Sequence, residues 1–358
     1  MNALIPLPVI VPLLGAAICM IVAQVRWAQR VVCLLALTSN VVVAIMLLVR
    51  VDDDGIVVTQ AGGWPAPLGI TLVVDRLSAV MLVVSSLMLL SVLVYAIGQG
   101  AEESRYAAFN PVYLVLAAGV SASFITGDLF NLFVAFEMML VASYVLLTLG
   151  GRPDQVRAGM SYVVISLVAS TFFVTALAVI YAATGTVNMA QLSQRMPDLP
   201  IGVSTGFSLL LILVFGIKAG LFPLFFWLPD SYPTASGAIT AVFAGLLTKV
   251  GVYAIIRTQT LIFPPDAQQG TVLLVLAGLT MLVGVLGALA QDDLRRMLSF
   301  HIVSHIGYMI FGLALFTLAG VAGAVFYVVH HIVVKTGLFL VAGLVERRSG
   351  SDRLSRVG

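Results

Sequence analysis

Charge is what this 358-residue sequence has least of. Only 9% of its residues are Asp, Glu, Lys or Arg, against 61% hydrophobic, and its mean hydropathy is +1.11. So little charge cannot solvate a globular surface, which excludes an ordinary soluble domain and leaves an integral membrane protein. Cysteine is scarce as well: Cys19 and Cys33 lie in apolar stretches without metal-ligand spacing and read as inert core residues. No P-loop, dinucleotide fingerprint, CxxC pair or nucleophile elbow is present, so no cofactor, metal or redox centre is expected. A net charge of +2 without a basic run among aromatics gives no reason to expect nucleic acid as a partner.

Lysine is the rarest cation, three residues against fifteen arginines, and the two are sorted by position. The arginines lie in loops or near segment ends, whereas Lys218, Lys249 and Lys335 lie inside apolar runs. A lysine can lose its proton when desolvated and an arginine realistically cannot, so the three lysines are candidates for titration.

Apolar runs long enough to span a bilayer fall near 3–23, 31–49, 73–97, 109–126, 128–149, 157–183, 205–228, 238–256, 270–290, 297–317 and 319–345, which predicts an all-α polytopic protein with about eleven transmembrane helices. The first run, lacking a basic flank or a cleavage site, reads as a retained helix. Within 50–72, GIVVTQ is compatible with a short hairpin or strand; periodicity does not decide. Alternate loops starting from Arg26 and Arg30 hold eleven arginines with the tail, against Arg50, Arg76, Arg195 and Arg257 on the other side. The positive-inside rule then puts the N-terminus outside and the C-terminal tail in the cytoplasm.

Lys218 has glycines at 216 and 220 and Pro223 just beyond, so its helix is expected to break there; broken helices beside charged groups mark transporters. Glu137 is the only glutamate inside a spanning run, and an ionised carboxylate at that depth costs roughly 2.5 to 3.5 kcal/mol unless it is protonated or paired. A pair with Lys218 solves this, either as a moving element or as a static ion pair. Lys218, Lys249 and Lys335 each have glycine two residues later, where a helix or water can approach. All four histidines lie in the last two runs: His301 and His305 at i,i+4, His330, and His331 four residues before Lys335. With no carboxylate or cysteine beside them, His305, His330 and His331 read with the lysines as a proton relay rather than a zinc site. Asp75 and Arg76 open one helix and Asp128 opens another as its cap, while Asp230, in the turn after the broken helix, either orients the pathway entrance or caps the next helix.

GDLFNLFVAFEMMLVASYVLL (127–147), GIKAGLFPLFFWLPDSYPTAS (216–236) and AGLLTKVGVYAIIR (244–257) together resemble the proton-translocating antiporter-like family. That family is shared by the membrane arm of respiratory complex I and Mrp-type multisubunit cation/proton antiporters, and the wording is most similar to the antiporters' D-subunit group. The resemblance implies two five-helix inverted repeats, each with a broken helix, and a relay in which Glu137 pairs with Lys218, Lys249 connects onward, and the histidines near 330 lead toward the second half. It implies an N-terminal three-helix segment at 1–100, a first repeat at 109–256, a partial second repeat at 270–345 and a polar tail at 346–358. The family has about fourteen helices, so this chain is expected to be a truncated product or fragment, and SGAIT at 236–240 lacks a proline expected there. The function so implied is that of one member of a multisubunit complex in the cell membrane, exchanging protons for a monovalent cation such as Na+. The alternative is a proton-pumping subunit of an NADH-quinone oxidoreductase; a membrane-embedded enzyme lacks its nucleophile or metal set.

Overall fold

Each of the eleven apolar runs contains a helix, though not always over its whole length. The computed structural model describes residues 2–100 and 102–357. Met1, Ala101 of the GQGAEESR break and Gly358 of the tail therefore lie outside the described residues. Contacts divide the chain into two units, Met1–Arg152 and Pro153–Gly358.

The first unit is built from α1 (Leu7–Ile21), α2 (Arg26–Asp54), β1 (Val57–Gln60), β2 (Thr71–Val74), α3 (Arg76–Gln99), the short α4 (Glu102–Arg105), α5 (Phe109–Ile125) and α6 (Leu129–Thr148). GIVVTQ does form a strand: β1 pairs antiparallel with β2, Val57 opposite Val74 and Gln60 opposite Thr71. The run that begins at 73 thus starts as a strand, because Asp75 accepts from the Ser78 amide at 2.9 Å and sets the helix start one residue later. Asp128 does the same for α6, accepting from the Phe130 and Asn131 amides at 2.9 Å. Gly119 brings α5 against the backbone of Met139, two residues beyond Glu137. A buried glutamate outside the spanning runs, Glu103, receives the Arg30 guanidinium through contacts of 2.7 to 3.0 Å and fixes the loop before α5 to α2.

The second unit holds α7 (Pro153–Thr184), α8 (Met189–Arg195), α9 (Ile201–Ala219), α10 (Trp227–Ser231), α11 (Gly237–Val242), α12 (Thr248–Leu261), α13 (Gly270–Leu289), α14 (Leu294–Ala314), α15 (Leu318–Ser349) and the short α16 (Leu354–Val357). Between α11 and α12 the helix passes through a π turn, Phe243–Leu247, without stopping. This 25-residue span is buried along almost its whole length, as an all-round apolar helix requires. Among the described residues, nine helices are long and apolar enough to cross a bilayer, and α1 and α5 are shorter apolar helices.

Candidate functional site

The break at Lys218 is present and has a local cause. α9 ends at Ala219, Gly220 takes φ +83°, and the amides of Gly220 and Leu221 both donate back to the Gly216 carbonyl, at 2.9 and 3.0 Å. Helix resumes only at Trp227. The Phe222 amide exposed by the break donates to Thr280 Oγ1 of α13 at 3.0 Å, and the Trp227 indole donates to the Ile217 carbonyl at 3.1 Å. Freed backbone groups are therefore met by neighbouring elements, which is what lets a helix break inside a bilayer. Lys218, buried at the last turn of α9, donates to the Ser166 carbonyl and Ser170 Oγ of α7, both at 3.2 Å.

Lys249 is fully buried, and its amine donates to the Ala244 carbonyl within the π turn five residues back. Gly251 lies where α12 crosses α9: a Cβ there would stand 2.7 Å from Ala219 N and 3.0 Å from the Lys218 carbonyl carbon. The glycine after the second lysine thus admits a neighbouring helix, as the spacing implied. Gly220 serves instead as a left-handed cap, and a Cβ at Gly337, after the third lysine, would meet nothing within 4 Å. The π turn packs on α15 through Gly245, which faces the Thr336 side chain and the Ile332 carbonyl. Lys335 is buried in that same stretch of α15, within electrostatic reach of Lys249.

An aromatic cluster continues from there. The His331 ring, 1% exposed, lies 5.0 Å from His305, which lies 5.8 Å from His301 and 5.7 Å from Tyr327. Tyr327 Oη and His305 Nδ1 are hydrogen-bonded at 2.5 Å. Among the described residues neither ring nitrogen of His331 has a hydrogen-bond partner, nor has buried Thr248 Oγ1. A buried, unpartnered imidazole beside two amines and a second imidazole can take a proton from one side and yield it on the other. His330 stands apart from this interior: it is exposed, 5.7 Å from the Tyr327 ring.

The structure thus gathers Lys249, His301, His305, His331 and Lys335 in the second unit and connects Lys218 to them through the α9–α12 crossing. Glu137 is half-buried on α6 of the first unit. Sequence reasoning overlooked Tyr327, although Tyr327, His331 and Lys335 form an i,i+4 ladder; it overlooked Ser166, Ser170 and the π turn, which no spacing announces.

One end of the unit is tied by arginines. Arg295 is buried, donating to the Ala235 carbonyl at 3.0 Å and to the Glu346 carboxylate, while Arg296 meets Asp230 at 3.0 Å. Asp230 is therefore an ion-pair partner in the turn after the break. The loop without the expected proline is held by Arg295 and by the Thr240 hydroxyl on the Tyr232 carbonyl, 2.9 Å away. The tail docks beside it: the Leu294 amide donates to Asp352 O, and Leu354 donates to Asp292 O. Ser355 hydrogen-bonds hold the Asp292 carboxyl below its usual range, whereas burial, with the Asp352 carboxylate adding, pushes Asp293 up.

Residues 126–358 match the family described as NADH:quinone oxidoreductase/Mrp antiporter, transmembrane. The chain is 45% identical over its whole length to the D-type subunit of the Na(+)/H(+) antiporter of Alkalihalophilus pseudofirmus, of which it spans 73%. It superposes on a chain of the Mrp complex from Dietzia sp. DQ12-45-1b with a TM-score of 0.92 and 38% identity, covering 98% of itself and 66% of that chain. A chain of the membrane-bound sulfane sulfur reductase, an archaeal respiratory membrane complex, gives a TM-score of 0.93 at 28% identity, with 99% and 74% covered.

Proposed function

From the premise that this chain belongs to the NADH:quinone oxidoreductase/Mrp antiporter family of multi-pass membrane proteins, we propose that it is a subunit of a multisubunit Na+/proton antiporter and conducts protons through its buried lysines and histidines. The observation that carries this reading is the set of three lysines, one each on α9, α12 and α15, buried at a broken helix, a π turn and an imidazole cluster. A charged amine at such depth costs several kcal/mol, and this chain keeps three in one unit.

In the proposed cycle Glu137 holds Lys218 charged. When that pair separates, Lys218 passes its proton toward Lys249, and His331, His305 and Lys335 carry it onward; Tyr327 orients His305, and exposed His330 marks where the path leaves the α15 surface. The cycle treats 109–256 and 270–345 as successive repeats after the segment 1–100, with the tail 346–358 on the cytoplasmic side. The partners are the antiporter's other subunits, since one relative is named as an antiporter subunit and another is part of an Mrp complex. A redox-driven pump has the support of the sulfane sulfur reductase likeness, but at 28% identity against 45% for the antiporter relative the antiporter reading is stronger.

The test is Na+-driven proton movement, read by a pH-sensitive dye in everted vesicles that contain the assembled complex. Glu137→Gln, in a complex assembled at the wild-type level, is expected to abolish the Na+-dependent signal. Full exchange by that variant would remove Glu137 from the mechanism.

A further inference from the structure

A cavity of about 750 Å³ opens on the second unit between the start of α7 and the segment around α10, and none of the relay side chains lines it. Along α7 its lining runs from Asp154 and Arg157 through Met160 to Val164 and Ile165, passing from charged to apolar in about three turns. The opposite wall supplies Phe226, Trp227 and Asp230. With 32 residues α7 is about 48 Å long, against a hydrocarbon layer of about 30 Å, so its first turns reach the headgroup region. A site that is charged at headgroup depth and apolar below it has the polarity profile of a phospholipid.

The charges narrow the class. Arg157 is exposed and has no ion pair among the described residues, while Asp230 gives one oxygen to Arg296 and keeps the other. An unpaired guanidinium beside a carboxylate oxygen that is still open complements a zwitterion, not an anion. We propose that this cavity binds one aminophospholipid, its phosphate on Arg157, its primary ammonium on the second carboxylate oxygen of Asp230, and an acyl chain along Met160 and Val164 to Phe226 and Trp227. A choline headgroup has no N–H to give that oxygen, and a glycerol headgroup has no cation. The occupant touches the transport machinery at one point: Trp227 stacks on Tyr162 at 5.1 Å and holds the carbonyl of Ile217, the residue before Lys218.

Trp227 also reports on the site, because only Trp27 and Trp64 need to become Phe to leave it as the single tryptophan. The Trp27→Phe/Trp64→Phe chain in phosphatidylcholine nanodiscs would be titrated with bromine-labelled phosphatidylethanolamine, phosphatidylcholine or phosphatidylglycerol. Saturable quenching is expected for the ethanolamine lipid at a mole fraction at least about fivefold lower than for the other two, and Arg157→Glu should erase that preference. Quenching that rises linearly and equally for all three lipids would mean bulk bilayer contact and overturn the proposal. So would a preference for the glycerol lipid, or an ethanolamine preference that survives Arg157→Glu.

Discussion

Replacing Gly251 with alanine puts one methyl group at the point where α12 crosses α9. The new Cβ would lie 2.7 Å from Ala219 N and 3.0 Å from the Lys218 carbonyl carbon, where an ordinary contact needs about 3.4 Å. Both neighbours are backbone, so no side chain can rotate away and the helices must part by about 0.7 Å. Alanine returns about 1 kcal/mol of helix propensity, but overpacking of this kind costs roughly 1 to 3 kcal/mol, so the net effect is destabilising or at best neutral. The shift also moves Lys218 relative to Lys249. Thermal unfolding of the purified chain in detergent is the assay, with Gly278→Ala and Gly337→Ala as controls, because a Cβ at either position meets nothing within 4 Å. The controls should match or exceed the wild-type melting temperature and Gly251→Ala should fall below them. A Gly251→Ala chain that melts with the controls would refute the close crossing.

Two further outcomes concern the arginine-tied end. Arg295→Gln removes the contact with Glu346 and weakens the hold on the Ala235 carbonyl, at a cost of about 1 to 3 kcal/mol since Glu346 is partly exposed; faster proteolysis at 230–236 measures it. Burial raises the Asp293 carboxyl with Asp352 adding to it, so its contribution to tail docking is present below the unfolded-state value and is lost as pH rises through the folded-state value. Asp293→Asn keeps the helix cap and removes the repulsion. The Leu294 and Leu354 amides should therefore exchange hydrogen more slowly than wild type at pH 7.5, with the difference closing toward pH 4; equal exchange at both would contradict this.

The helices were legible because apolar runs between polar breaks leave a bilayer chain little choice, and the break at Lys218 was legible because Gly220 and Pro223 both oppose a continuing helix. The extent of that break was not: the expected run continued to 228, but helix stops at Ala219 once Gly220 turns left-handed. The π turn at Phe243–Leu247 escaped because its residues suit an α-helix equally well and only packing against Thr336 distinguishes the two. Buried Glu103 and Arg295 were missed for a related reason. Sequence position puts them in loops, and only the partners Arg30 and Glu346, far away in the chain, bring them inside.

The central claim is that Lys218 must lose its proton, not merely carry charge. Unperturbed arginine titrates about 2 to 3 units above lysine, so Lys218→Arg in the same environment lowers the neutral fraction roughly 100- to 1000-fold while the positive charge stays. The measurement is Na+-driven proton exchange by the complex carrying Lys218→Arg, normalised to the assembled amount. The account predicts wild-type assembly with exchange lost; wild-type exchange would show that Lys218 is a fixed counter-charge and contradict it.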